Sequence, residues 1–340
     1  MKTMKKGIKI AAALLLMATM TLPSCEEWTD VDNLDIKYGN VEEENPELYA
    51  RYLASLREYR NTDHTQVYAW WDNSVKFPVS KGHYLREIPD SIDVVGLLYP
   101  DLLTQSELDQ IDELRTQKGM KVIYTIDFDR MKTDYTNNIK PNTPERSFHS
   151  FLADTLSYAL SLLKKYPYDG ICIAYQGEST VLMDDVEKKE YMEDENCFIG
   201  ILTDWYDRNR GGVELTFLGA PENLLDQSIL ANCPTILLDG RTASAANELT
   251  TLMTEGYMAE YGTRYGMVVA GTPLSGTNRY ATFSNGSPAT AAVAAWANTS
   301  QQRNRIRAVG VYDFGGDYFN ASNTYGNMRS MITTLNPSIK

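Results

Sequence analysis

The apolar residues of this chain change rhythm repeatedly, from short continuous runs to stripes spaced by three and four. The short runs read as buried strands over 66–71, 92–99, 121–127, 168–175, 213–219, 234–239, 265–270 and 307–313. Helical patterns lie between them. The clearest consists of Phe148, Phe151, Leu152, Leu156, Ala159, Leu160 and Leu163, which share one helical face and stop before Pro167. Thr104 followed by Glu107 has the spacing of a capping box, and Gly119 follows the helix it opens. Pro46 opens a helix to Arg60 with Leu48, Tyr49, Tyr52, Leu53 and Leu56 as its apolar positions. Further helical runs cover about 195–209, 242–260 and 288–304, with a closing helix near 322–334. Strands that alternate with helices build parallel sheets. Eight strands suit a closed α/β fold, a single (β/α)8 TIM barrel. An open doubly wound sheet is the alternative, but no G-x-G-x-x-G follows the first strand.

The N-terminus has a different pattern. Lys2, Lys5, Lys6 and Lys9 precede the apolar run Ala11–Met17, so residues 1–24 read as a secretion signal. The run is too short for a membrane-spanning helix. Leu22-Pro23-Ser24-Cys25 resembles a bacterial lipobox, which implies acylation (palmitate and related chains) of Cys25 as the first mature residue. Glu26, Glu27 and Asp30 follow at once. Such an acidic stretch resembles the signal that sends lipoproteins of Bacteroidetes-type bacteria to the outer face of the outer membrane. The expected organisation is a signal over 1–24, an acidic tether over 25–45 and a barrel domain over 46–340, held to the membrane by lipid.

Charge narrows the partners. The net charge is −13, and removal of the four signal lysines makes it −17. Nucleic acid and anionic lipid surfaces need basic patches, so neither is expected as a ligand. Cys172, Cys197 and Cys233 remain after Cys25, without a C-x-x-C pair, so no disulfide framework, metal or other cofactor is expected.

One strand carries the candidate chemistry. In Tyr168-Asp169-Gly170-Ile171-Cys172-Ile173-Ala174-Tyr175-Gln176, alternation places Cys172, Ala174 and Gln176 on one face and Ile171, Ile173 and Tyr175 on the other. The stretch resembles the D-G-x-D-x-D-x-E strand of family 18 glycoside hydrolases, the chitinases and endo-β-N-acetylglucosaminidases. Aligned on Asp169-Gly170, the inner aspartates fall on Cys172 and Ala174 and the acid on Gln176. The resemblance implies that these three face the barrel lumen. It also implies lost catalysis, since an amide cannot deliver a proton at neutral pH. The family's tyrosine at the end of the sixth strand is missing too, because Ile236-Leu237-Leu238-Asp239 has none.

In a (β/α)8 barrel the ligand meets the strand C-termini and the loops after them. The candidate glycan contacts there are Trp70, Trp71, Tyr99, Asp127, Gln176, Glu178, Arg241, Tyr312 and Asp313. Only one of the adjacent Trp70 and Trp71 can face inward. Asp239 reads as a cap for a helix starting near Thr242. The resulting expectation is a surface lipoprotein that binds N-glycan or other GlcNAc-containing oligosaccharides without cutting them, beside an outer-membrane importer and active surface hydrolases. An active endo-β-N-acetylglucosaminidase-like enzyme using the displaced carboxylates Glu178, Asp127 or Asp313 is the alternative. A scaffold with a closed mouth is a third.

Overall fold

The computed structural model describes residues 44–209 and 211–337. The chain divides into two units, Met1–Ala50 and Arg51–Lys340. The signal, Cys25 and nearly all of the tether lie outside the described residues. Helix α1 (Pro46–Tyr59) comes first, followed by β1 (Gln66–Trp71), β2 (Val94–Leu97), α2 (Gln105–Asp112), β3 (Lys121–Asp127), α3 (Phe128–Asp134), α4 (Phe148–Lys165) and β4 (Gly170–Tyr175). Then come α5 (Asp185–Arg208), β5 (Glu214–Gly219), β6 (Thr235–Gly240), α6 (Ala246–Gly256), β7 (Tyr265–Ala270), α7 (Ala289–Ala297), β8 (Ile306–Tyr312) and α8 (Gly326–Leu335). The strands are parallel and paired in chain order, and β8 returns to β1 to close a barrel. The (β/α)8 expectation from the hydrophobic pattern is met.

The helix boundaries depart from the sequence pattern where local chemistry is strong. Asp184 and Glu187 form a reciprocal capping box and start α5 at Asp185, ten residues before the apolar stripe does. The first turns of α5 are solvated, so they carry no apolar rhythm. Short α3 is absent from the sequence reading. It forms because Asp127 ends β3 and accepts the Arg130 N–H at 2.9 Å as an N-cap. The Thr104–Glu107 box holds as expected, at 2.7 and 3.2 Å.

The core has two compartments. Outward residues of every strand pack against the helices, among them Trp71, Ile171, Ile173 and Tyr175. The lumen is filled by Tyr68, Trp70, Ile123, Cys172, Ala174, Leu218, Leu237 and their neighbours. Trp70 is fully buried there and donates its indole N–H to Thr125 Oγ1 at 2.9 Å. Gly96, its register partner on β2, makes room for the ring, since a Cβ there would lie 2.6 Å from Trp70 Cδ1.

A buried acid latches a strand start at the opposite, N-terminal end. Asp93 accepts the Val67 N–H at 2.8 Å and pairs with His64 Nε2 at 3.0 Å. The hydrogen bond to Asp93 raises the His64 pKa above its ordinary 6.5. A raised folded-state pKa stabilises fully below 6.5 and is lost as pH climbs through the folded value. Urea unfolding is therefore expected to show stability falling from about pH 6 upward through that value, and His64→Gln should flatten the profile. An unaltered slope in the variant would exclude this latch as its source.

Candidate functional site

Strand β4 ends at Tyr175, and Gln176 stands exposed just beyond it. Its backbone is clamped from both sides. The Gln176 N–H donates to Asp129 Oδ2 at 2.6 Å and the Gly177 N–H to Asp129 Oδ1 at 3.1 Å. On the other side the Gln176 carbonyl accepts from Asn223 Nδ2 at 2.8 Å, from the loop after β5. Beneath this clamp lies a buried network. Tyr175 donates to Glu195 Oε2 at 2.7 Å and shares a 2.6 Å hydrogen bond with the Tyr191 hydroxyl, which accepts the Glu178 N–H at 3.0 Å. Glu195 Oε1 accepts the N–H groups of Leu225 and Asp226 at 2.8 and 2.9 Å. Desolvation raises the pKa of the Tyr175 hydroxyl, which stays protonated and so remains a donor.

Gln176 borders a cavity of about 290 Å³ at the C-terminal mouth, with Asp127, Asp129, Ala174, Asp239 and Arg241 also in its wall. That size is at the small end of ligand sites and suits roughly one sugar ring. A larger hollow of about 1020 Å³ lies around His64, Arg307 and Asn336 at the opposite end. The smaller cavity is the better candidate, because ligands of (β/α)8 barrels meet the strand C-termini and because polar groups converge there.

Each carboxylate at the mouth has structural commitments. Asp129 uses both oxygens on peptide N–H groups. Asp239 holds Arg241 through Nε at 2.8 Å and Nη2 at 2.6 Å, and also accepts the Arg241 N–H at 3.0 Å. It thus pairs with arginine rather than capping a helix, since α6 begins only at Ala246. Burial disfavours the guanidinium charge, but Asp239 outweighs it and the Arg241 pKa is raised. The guanidinium also lies 4.6 Å from the Tyr312 ring centroid, and Tyr312 stacks on Trp70 at 5.8 Å. Asp127 caps α3 with Oδ1, and burial raises its pKa.

Of the residues expected at the site, Asp127, Gln176 and Arg241 line the cavity together. Trp70 and Tyr312 form a stack beneath Arg241, with Trp70 too buried to meet a ligand. Trp71 turns outward and packs edge-on against Phe314, as strand alternation demands once Trp70 points in. Tyr99, Glu178 and Asp313 lie outside the cavity wall. Tyr99 is exposed on the loop after β2, where its backbone pairs with Asn73. Glu178 is carried past the rim by Gly177, whose φ of 56° turns the chain. Asp313 sits toward Asp72 with Oδ1 buried and unpartnered. The sequence reading missed Asp129 and Asn223. Asp129 lay two residues past a strand end, but nothing local ties it to Gln176, 47 positions away. Among the described residues no group of His, Cys, Asp and Glu is placed to hold a metal ion.

The start of the β4 stretch and its lumen-facing residues separate by role. Asp169 is paired with Arg115 by three contacts of 2.7 to 3.1 Å and accepts the Val122 N–H at 2.8 Å, at the strand start far from the mouth. Gly170 lies against the Glu214 carbonyl, where a Cβ would overlap it. Both hold the barrel together. Cys172 is fully buried and Ala174 nearly so, packed in the lumen cluster. Burial pushes the Cys172 thiol pKa up, so it stays neutral.

Comparison with known proteins places this geometry. Residues 29–334 match the model of glycoside hydrolase family 18, BT1044-like. A solved structure of a selenomethionine BT1044 variant is similar with a TM-score of 0.58 and 20% identity, over 87% of this chain and 95% of that one. An endo-beta-N-acetylglucosaminidase from Cordyceps militaris, in apo form, gives a TM-score of 0.58 at 14% identity, over 84% of this chain and 96% of that one. At these identities the likeness is one of fold. No curated protein sequence matches the chain.

Proposed function

We propose, from the premise that this chain belongs to glycoside hydrolase family 18, BT1044-like, that it binds GlcNAc-containing oligosaccharides, N-glycans among them, without hydrolysing them. The observation that carries this reading is Gln176, an amide at the mouth cavity where the family's motif has its acid. The second position of that chemistry is Ala174, a methyl group in the cavity wall. A general acid contributes about 10²–10⁴-fold in rate, and an amide supplies no proton. What persists is a concave site with an amide, an arginine and one partly free carboxylate, which suits sugar hydroxyls.

Isothermal titration with a high-mannose N-glycan is expected to show saturable binding, while micromolar protein releases no reducing ends. Arg241→Ala should weaken binding by about tenfold or more, because it removes a donor and strips Asp239 of its partner. Unchanged affinity in that variant would move the binding site elsewhere.

Sequence supports a surface address. The lipobox at Cys25 and the acidic residues after it fit a lipid-anchored protein on the outer face of an outer membrane, working beside an importer and active hydrolases. Among the described residues no helix is long and apolar enough to cross a membrane.

A second reading, residual hydrolysis, is favoured by one observation: Asp127 lines the cavity with its pKa raised by burial, a direction that suits a general acid. Turnover of a labelled N-glycan that Asp127→Asn abolishes and Glu178→Gln leaves intact would establish it.

A further inference from the structure

The mouth cavity is lined by three carboxylates and one cation, Arg241, among the described residues. These charges are unequally available. Asp129 is committed to two peptide N–H groups and Asp239 to Arg241. Asp127 spends only Oδ1, on the Arg130 N–H, which leaves Oδ2 for a ligand. Arg241 cannot balance the set, since its charge is already answered by Asp239 through two contacts. A ligand entering beside Gln176 therefore meets net negative charge and a carboxylate acceptor. A sugar hydroxyl can donate to that acceptor. A sugar carboxylate or sulfate brings like charge into a half-enclosed space, where repulsion is screened less than in bulk water.

We infer that Asp127 makes this site selective by charge, admitting neutral hexoses and N-acetylhexosamines and rejecting acidic sugars such as uronic acids. The inference rests on the glycan-binding reading above and adds a ligand class to it. Selection of this kind works by penalising the wrong ligand rather than by adding contacts to the right one. Asp127 serves as a specificity-determining residue, and its second task as the α3 cap makes a clean test available. Asparagine caps helices about as well as aspartate, so Asp127→Asn removes the charge and keeps the cap.

The test is isothermal titration of the full chain with chitotetraose and with a hyaluronan tetrasaccharide, in which every second sugar is a glucuronate. The neutral tetramer is expected to bind at least about tenfold more tightly at low salt. In Asp127→Asn the gap should close to within about threefold, through a gain for the acidic tetramer, and about 0.5 M salt should narrow it in the unmutated chain. Equal binding of the two tetramers, or a gap that survives both Asp127→Asn and salt, overturns charge selection while leaving glycan binding intact. Binding of neither tetramer to the unmutated chain overturns both readings.

Discussion

Glu195→Ala is expected to lower stability by about 3–5 kcal/mol, because it strips three donors of a buried carboxyl acceptor at once. Glu195 is 1% exposed on α5, and its two oxygens take the Tyr175 hydroxyl and the N–H groups of Leu225 and Asp226. A hydrogen bond to a charged group contributes roughly 1.5–3 kcal/mol, and buried donors left unpaired cost further. The same change should reach the site. Tyr175 precedes Gln176, and Asn223, which holds the Gln176 carbonyl, lies two residues before Leu225. Glycan affinity should therefore fall even where the variant is fully folded. Glu195→Gln keeps the shape and one acceptor oxygen, so a smaller loss of about 1–2 kcal/mol is expected. Urea unfolding of both variants provides the measurement. A loss below about 1 kcal/mol in Glu195→Ala would mean that water replaces the carboxylate and that the network is not what fixes these loops.

Asp313→Asn should act in the opposite direction and stabilise the protein at neutral pH, on the order of 2 kcal/mol. Asp313 combines a left-handed backbone, with φ of 54°, and a buried Oδ1 without a partner. Burial, followed by the negative charge of Asp72, pushes its pKa up from 3.8 to about 6. A carboxyl whose folded pKa exceeds its unfolded one binds extra protons in the folded state between those values. The native chain therefore loses stability as pH climbs from 3.8 to about 6, and the deficit is complete above that window. Asparagine tolerates the left-handed region as aspartate does and carries no charge. The gain in melting temperature should be full near pH 7.5 and vanish near pH 4. A gain independent of pH would place its origin in the backbone alone. Because Asp313 lies outside the cavity wall, neutral-glycan affinity is expected to hold.

The fold was almost wholly legible in the apolar rhythm, down to the strand ends at Trp71, Asp127 and Tyr175. Helix starts set by polar caps were less so. Asp184 begins a helix whose first turns are solvated, and a solvated turn leaves no periodic trace, while Asp127 begins a helix of seven residues, too short to show a stripe. The site was legible in part. Alternation along β4 put Cys172 and Ala174 on the lumen face, as the structure has them. It could not choose between Trp70 and Trp71, because adjacent strand residues always face opposite ways and either assignment satisfies the local pattern.

Sequence alone determined the number and order of the strands and the alternation along β4, because strand period and residue identity are local properties. Only the closed barrel decided which groups meet at the mouth. Asp129 reaches Gln176 across 47 residues, Trp70 fits the space left by Gly96, and Arg241 lies over the Tyr312 ring. Those pairings depend on the register at which parallel strands close on one another. That register is set by the packing of the whole lumen and outer shell, and no short stretch of the chain encodes it.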